Sequence, residues 1–427
     1  MKNIFTINRI GARKSLRLIK LPFIVIFVVI STIVACILGR DLQIFGFNIQ
    51  GYVWVFSLCL SIFVLMGSIK LISFPWYLWL PWILFIIIYL IIFPNTNALQ
   101  RTAMMICPII VGVAISTCRI QEEQLKSFYR MILIVTLFFF LFVLIKTGII
   151  FTGKVPELTG LAAQVMTGSL LACYFICEYI YGNRNALGVW IGLSLVPIIA
   201  MTRTGIVATA ITFPLTLAPI KFKTRVIIIF LIGILGLGVF YTERFQRKMF
   251  YSGEGTISDL RYDNPDLYTA GRKAMWELME VEIEDSPWWG YGANATDDFL
   301  LFYTGFATHP HNDWLRLRYD YGYIGTFIFA ICMVAQTLHA WKKGARTLGR
   351  KRLLFYTGAS AFIPFALFMT TDNIILYCAF FGNLQFAILG LAYASLKTEQ
   401  NNAKQLLRIK NYLPINFKFP LRNDPIR

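Results

Sequence analysis

Long apolar runs separated by short polar ones set the plan of this chain. A helix crossing the hydrocarbon core needs roughly twenty mostly apolar residues, and about twelve such runs can be counted. They fall at 21–38, 52–72, 76–93, 102–116, 129–145, 161–181, 186–201, 205–220, 226–240, 321–340, 353–370 and 374–396. The run at 102–116 is short, and Pro108 is placed to break it. Only one polar interruption is long, from 241 to 320. Structureless connections of that length are rare in folded chains, so an ordered element or lid is expected there. Thr269 is positioned to cap a helix running to about Asp285, with Met275, Leu278 and Met279 on its apolar face and Ser286-Pro287 ending it. The pattern therefore predicts an all-α, polytopic membrane protein. Helices 1–9 occupy 1–240, a large helical loop 241–320, helices 10–12 321–396, and a basic tail 397–427.

Composition strengthens this reading, since 57% of the residues are hydrophobic and only 15% charged. The net charge of +18 would suit nucleic acid in a soluble protein. Here it is a matter of topology. With the N-terminus in the cytoplasm, roughly two thirds of the basic residues fall on that side, as the positive-inside rule requires. Both termini are then cytoplasmic and the long loop lies outside. The first run follows six basic residues and resembles a signal-peptide start, but without a small-residue cleavage site it reads as a retained first span. All eight cysteines lie in or beside apolar runs and read as packing residues.

Candidate chemistry concentrates at 308–325, THPHNDWLRLRYDYGYIG. It holds two of the three histidines, His309 and His311, with Asn312, Arg316 and Arg318. Read as one helix, it puts His311 and Arg318 on a common face. The competing reading is an interfacial belt, with Trp314, Tyr319, Tyr321 and Tyr323 at the headgroups. Arg203 breaks two apolar runs on the outer side, where a guanidinium fits an anion clamp or snorkels to lipid phosphate. Arg272 begins the predicted loop helix, where free backbone N–H groups favour anions. Asp372, at the outer end of a run, is placed to orient an arginine or an acceptor, or to cap a helix. No His, Cys or Asp cluster has metal-ligand spacing, and Asp297-Asp298 is a weak candidate for a metal pair.

His311-Asn312 followed by Gly322-x-x-Gly325 resembles the histidine motif of the bacterial O-antigen ligase and O-antigen polymerase superfamily. The resemblance includes Thr202 to Gly205, Gly271-Arg272 followed by Trp276, and Pro287 through Gly290-Tyr291-Gly292. It implies a metal-independent, cofactor-free glycosyltransferase of the inner membrane with a periplasmic active site. Its donor would be an undecaprenyl-diphosphate-linked oligosaccharide. Arg203, Arg272 and His311 would be catalytic, and Asn312, Arg316, Arg318, His309 and Asp372 would contact substrate. Arg316, Arg318, Arg244, Arg247 and Lys248 are placed to hold an anionic acceptor. Asp313-Trp314-Leu315-Arg316 resembles the polymerases of O-antigen and capsule more than the ligases, so the acceptor is expected to be a second lipid-linked glycan. A chain-length regulator protein is then a candidate partner. The alternative is a ligase transferring glycan to lipid A-core or protein. A flippase for lipid-linked oligosaccharides would also have many spans, but with charges inside them and no long outer loop, the reverse of this chain.

Overall fold

The computed structural model describes residues 21–39, 42–152, 160–306 and 308–412. The basic residues before Leu21, Arg40, Lys154 and the tail beyond Tyr412, which enter the orientation argument, lie outside the described residues. In order the helices are α1 (Phe23–Leu38), α2 (Ile49–Ser68), α3 (Leu80–Ile92), α4 (Thr96–Ser116), α5 (Glu122–Lys146), α6 (Ile149–Thr152), α7 (Ala162–Ile180), α8 (Asn185–Ile199) and α9 (Arg203–Ala210). There follow α10 (Phe222–Phe240), α11 (Glu243–Met249), α12 (Arg272–Ile283), α13 (Ala295–Thr304), α14 (Asp313–Ala345), α15 (Gly349–Ser360), α16 (Phe362–Phe368) and α17 (Gly382–Tyr412). One two-residue antiparallel ladder, Gln43–Ile44 with Phe47–Asn48, is the only sheet among the described residues.

The protein is mostly helical. Six helices among the described residues, α2, α4, α5, α7, α10 and α14, are long and apolar enough to cross a membrane, and α1, α3 and α8 are shorter apolar helices. The centre is built from α4, α7, α15 and α17, with α17 packed on α4 and α15. The close approach of α4 and α17 needs glycine: a Cβ on Gly390 would stand 2.5 Å from the Gly112 carbonyl oxygen. Two expectations for α4 fail. The helix starts at Thr96, six residues before the apolar run, because the Asn95 side chain accepts from the Asn97 N–H at 2.9 Å. Pro108 does not break it and packs its ring against α17 at Gly382.

Three of the expected spans are interrupted. Residues 205–220 are helical only to Ala210, after which the Arg225 guanidinium donates to the carbonyls of Pro214 (3.0 Å) and Thr216 (2.7 Å). The run at 353–370 breaks at Ala361 between α15 and α16. In the last run, α17 begins only at Gly382, and the irregular stretch before it is tied to α14. There the Asp313 N–H donates to the Met369 carbonyl at 2.8 Å, and the Asp313 carboxylate accepts from the Ile375 N–H at 2.8 Å. Irregular backbone among apolar helices persists where protein groups satisfy it, and such breaks are where polar sites form.

The long interruption at 241–320 is ordered. It contains α11, α12 and α13, a bridge between Phe250 and Leu267, and a small core of Met279, Ile283, Leu300, Leu315 and Tyr319. Its central helix α12 starts later than expected. Gly271, in the left-handed conformation at φ 77°, stands at the cap in place of Thr269. The belt reading also fails for two of its four rings. Tyr319 and Tyr321 are buried, Tyr319 stacked on Tyr291 and Tyr321 edge-on to Trp82, while Tyr323 is exposed.

Candidate active site

The site is organised by a turn that no motif marks, Thr371-Asp372-Asn373, between α16 and α17. The Arg272 guanidinium donates through Nη1 to the Thr371 carbonyl at 2.7 Å. His311 Nδ1 lies 3.4 Å from Asp372 Oδ1 and 3.2 Å from Asn373 Nδ2, with the imidazole about a third exposed. The hydroxyls of Thr204 and Thr371 are hydrogen-bonded, which ties the residue after Arg203 to the same turn. Arg203 itself donates to the Tyr268 carbonyl at 2.9 Å, three residues before Gly271-Arg272. Arg203, Arg272, His311 and Asp372 therefore meet around one turn despite their separation in sequence.

Local backbone explains how these side chains are aimed. Met201, Ala270 and His311 are non-glycine residues with positive φ, at 49°, 53° and 52°. Each is uncommon for an L-residue and stores strain. The first two immediately precede the starts of α9 and α12, and so set where Arg203 and Arg272 emerge. His311 lies outside α14, whose N-cap is Asn312; the Asn312 side chain accepts from the Leu315 N–H at 3.0 Å. The expected shared helical face of His311 and Arg318 is thus absent. Trp276, one turn after Arg272, donates its indole N–H to the Pro310 carbonyl at 2.7 Å, holding the residue before His311 against α12.

The glycine motif works through the backbone. Gly322 breaks α14 with φ 64° and ψ −172°, and a Cβ there would stand 2.2 Å from the Trp288 carbonyl oxygen. Released from helical pairing, the carbonyls of Tyr319 and Asp320 each accept at 2.9 Å from the N–H groups of Tyr291 and Gly292. The 287–292 segment is clamped to α14 in this way, and the loop is fixed over the site.

Beside Arg203 and Arg272 opens a cleft of about 630 Å³ lined by Met201, Glu243, Arg244, Arg247, Lys248, Tyr268 and Ala270. Burial and the neighbouring positive charges of Arg203, Arg244 and Arg272 hold the Lys248 ammonium below its ordinary range. Burial and the Arg272 charge act on Arg203 in the same direction. Like charges held this close cost energy that a bound anion would relieve.

Other candidates go elsewhere. Arg316 is 1% exposed and pairs with Asp297, so the fully buried side chain is not at the cleft, where substrate contact was expected of it. Arg318 makes a two-pronged bond with Glu280, at 2.9 and 2.7 Å, and lies over the Tyr323 ring. His309 Nδ1 sits 3.2 Å from Asp297 Oδ1. Asp297 also pairs with Arg101 at 2.9 Å. Burial alone would raise its carboxyl, but the His309 hydrogen bond and the Arg316 and Arg101 charges win and bring it down to about 2. Asp298 is exposed, so the two aspartates do not share a site. Among the described residues no three His, Cys, Asp or Glu side chains are grouped as metal ligands.

The family model described as O-antigen ligase matches residues 187–330, from α8 into α14. Over this segment the chain is similar to the O-antigen ligase and polymerase superfamily. The matched third of the chain carries Arg203, Arg272 and His311, while the turn that gathers them lies beyond it. The match implies a membrane-associated enzyme of the glycosyltransferase or ligase type acting on lipid-linked glycan. No curated protein matches the chain. Thr371 and Asn373 were not singled out in the sequence. Their one signal was a polar triplet between two apolar runs.

Proposed function

We propose that this enzyme joins undecaprenyl-diphosphate-linked repeat units of O-antigen or capsular polysaccharide at the periplasmic face of the inner membrane. The observation that carries the reading is the gathering of His311 and Arg272 on the turn at 371–373, with Arg203 tied to it through Thr204 and Lys248 close by. An acceptor hydroxyl attacks the anomeric carbon, the bond from that carbon to the diphosphate breaks, and the diphosphate leaves with the electron pair. Arg203 and Arg272, with Lys248 beside them, stabilise the charge that develops on the leaving group, the role a divalent metal plays in other transferases. His311, held through Nδ1 by Asp372 and Asn373, takes the hydroxyl proton. The Nδ1 to Asp372 distance of 3.4 Å is long and would tighten when substrate closes the site. His309, Arg316 and Arg318 act in this scheme by holding the loop. Asn312 starts the helix after His311.

The polymerase assignment follows from the resemblance at 313–316, and reconstitution tests it. Purified enzyme given only the lipid-diphosphate repeat unit should yield a ladder of longer lipid-linked glycans, lost in His311→Ala. Active protein that makes no ladder but transfers once lipid A-core is supplied would establish the ligase. The periplasmic orientation is tested by single cysteines at Ser258 and Ala345, both exposed, in a background lacking the native eight. An impermeant thiol reagent should label Ser258 and spare Ala345 in cells with a permeabilised outer membrane. The opposite pattern would invert the topology.

A further inference from the structure

Beyond the Gly322 break, at the end of α14 away from His311, lies a second polar cavity. Its volume is about 890 Å³, and it is lined by Ile69, by 72–77, by His339 and Lys343 of α14, and by Tyr393, Leu396 and Lys397 of α17. Among the described residues no carboxylate lines it. Lys343 and Lys397 both line it, and Lys397 Nζ is anchored by a 2.7 Å bond to the Leu71 carbonyl. Arg119 is close enough that its charge, after burial, lowers the Lys397 ammonium.

A buried relay adds a directed donor. The Trp79 indole N–H donates to Gln336 Oε1 at 3.3 Å, so the Gln336 amide N–H₂ donates to the Tyr393 oxygen at 3.2 Å. The Tyr393 hydroxyl is then left to donate to His339 Nδ1 at 2.7 Å. With Nδ1 an acceptor, the neutral imidazole carries its proton on Nε2. The wall is apolar at Ile69, Ile72 and Leu396, and Trp76 and Tyr77 stand exposed at the rim, as aromatic rings do at headgroup level.

We propose that this cavity binds the phosphate headgroup of an anionic glycerophospholipid, with Lys343, Lys397 and His339 Nε2–H on the phosphate and the acyl chains along the apolar wall. Two cations and a neutral donor beside greasy surface suit a phosphodiester tethered to lipid. A free anion would make no use of Ile69, Ile72 and Leu396. The site is separate from the glycan chemistry and does not depend on which acceptor the enzyme uses.

The test is lipid retention by purified protein. Native mass spectrometry in detergent should show bound phosphatidylglycerol surviving where phosphatidylcholine is lost. Titration with short-chain phosphatidylglycerol should raise the apparent melting temperature, and millimolar inorganic phosphate should not. Lys343→Gln and Lys397→Gln should each weaken the lipid about fivefold, the attraction of one basic residue for an anionic headgroup. Lys221→Gln with Lys223→Gln, on another exposed basic stretch, should leave it unchanged. Equal retention of phosphatidylcholine, an equal response to inorganic phosphate, or undiminished binding in the Lys343/Lys397 double variant would each overturn the proposal. The wild-type comparison of lipids decides the matter even if a variant fails to fold.

Discussion

Replacing Asp297 by Asn removes one charge from the network that positions the histidine loop and leaves the shape almost unchanged. In the native protein the Asp297 carboxylate meets Arg316, which is 1% exposed, together with Arg101 and His309. Lowering its carboxyl from the ordinary 3.8 to about 2 corresponds to about 2.5 kcal/mol, at about 1.4 kcal/mol for each tenfold change in proton affinity. Stranding the buried Arg316 without its partner is expected to cost about 3–5 kcal/mol by analogy with other broken buried pairs. The two figures share a direction and overlap within the scatter of such values, so Asp297→Asn should lower the apparent melting temperature by at least about 5 °C. Asp298→Asn, next to it and exposed, should do nothing measurable.

The same variant carries a pH signature. A carboxyl held below its unfolded value stabilises fully above that value, and the contribution disappears as pH falls through the folded one. The gap between wild type and Asp297→Asn should therefore be constant above about pH 4 and narrow towards pH 2. Arg316 also reaches the Thr308 carbonyl at 3.3 Å and His309 at 3.2 Å, two residues before His311, so turnover should fall as well. Thermal unfolding of detergent-purified protein at several pH values measures the first effect and reconstituted glycan synthesis the second. A wild-type melting temperature for Asp297→Asn at neutral pH would refute the assignment of this network as the support of the loop.

Two further substitutions probe the site. Arg203→Lys and Arg272→Lys keep the charge and lose the forked donor geometry, so turnover should drop on the order of a hundredfold while the protein stays assembled in the membrane; near-normal product would remove that arginine from the diphosphate site. Gly322→Ala puts a Cβ 2.2 Å from the Trp288 carbonyl oxygen at a positive φ, so it should cost several kcal/mol and release the 287–292 clamp. Limited proteolysis should then cut that segment faster than in wild type, and unchanged cleavage would mean the backbone contact is dispensable.

The apolar runs alone determined that this chain is a helical membrane protein, because a span must satisfy its own backbone and bury no water-seeking side chains. The spacing of Arg203, Gly271-Arg272, His311 and Gly322 also pointed to the family and to the residues that meet. Tertiary structure decided the rest. Which runs would break could not be read from hydropathy, since 205–220 and 374–396 are as apolar as unbroken helices. Their interruptions depend on partners outside each run, Arg225 just beyond the first and Asp313 far from the second, that satisfy the exposed backbone. Nor could charge in the sequence distinguish Arg272, which reaches the site turn, from Arg316, which is sealed against Asp297. Both are arginines near helix starts. Only the packing of α13 on α14 buries one, and only the turn at Thr371 receives the other. The left-handed backbone at Met201, Ala270 and His311 was equally hidden, because none of those residues favours it and the folded surroundings must hold the strain.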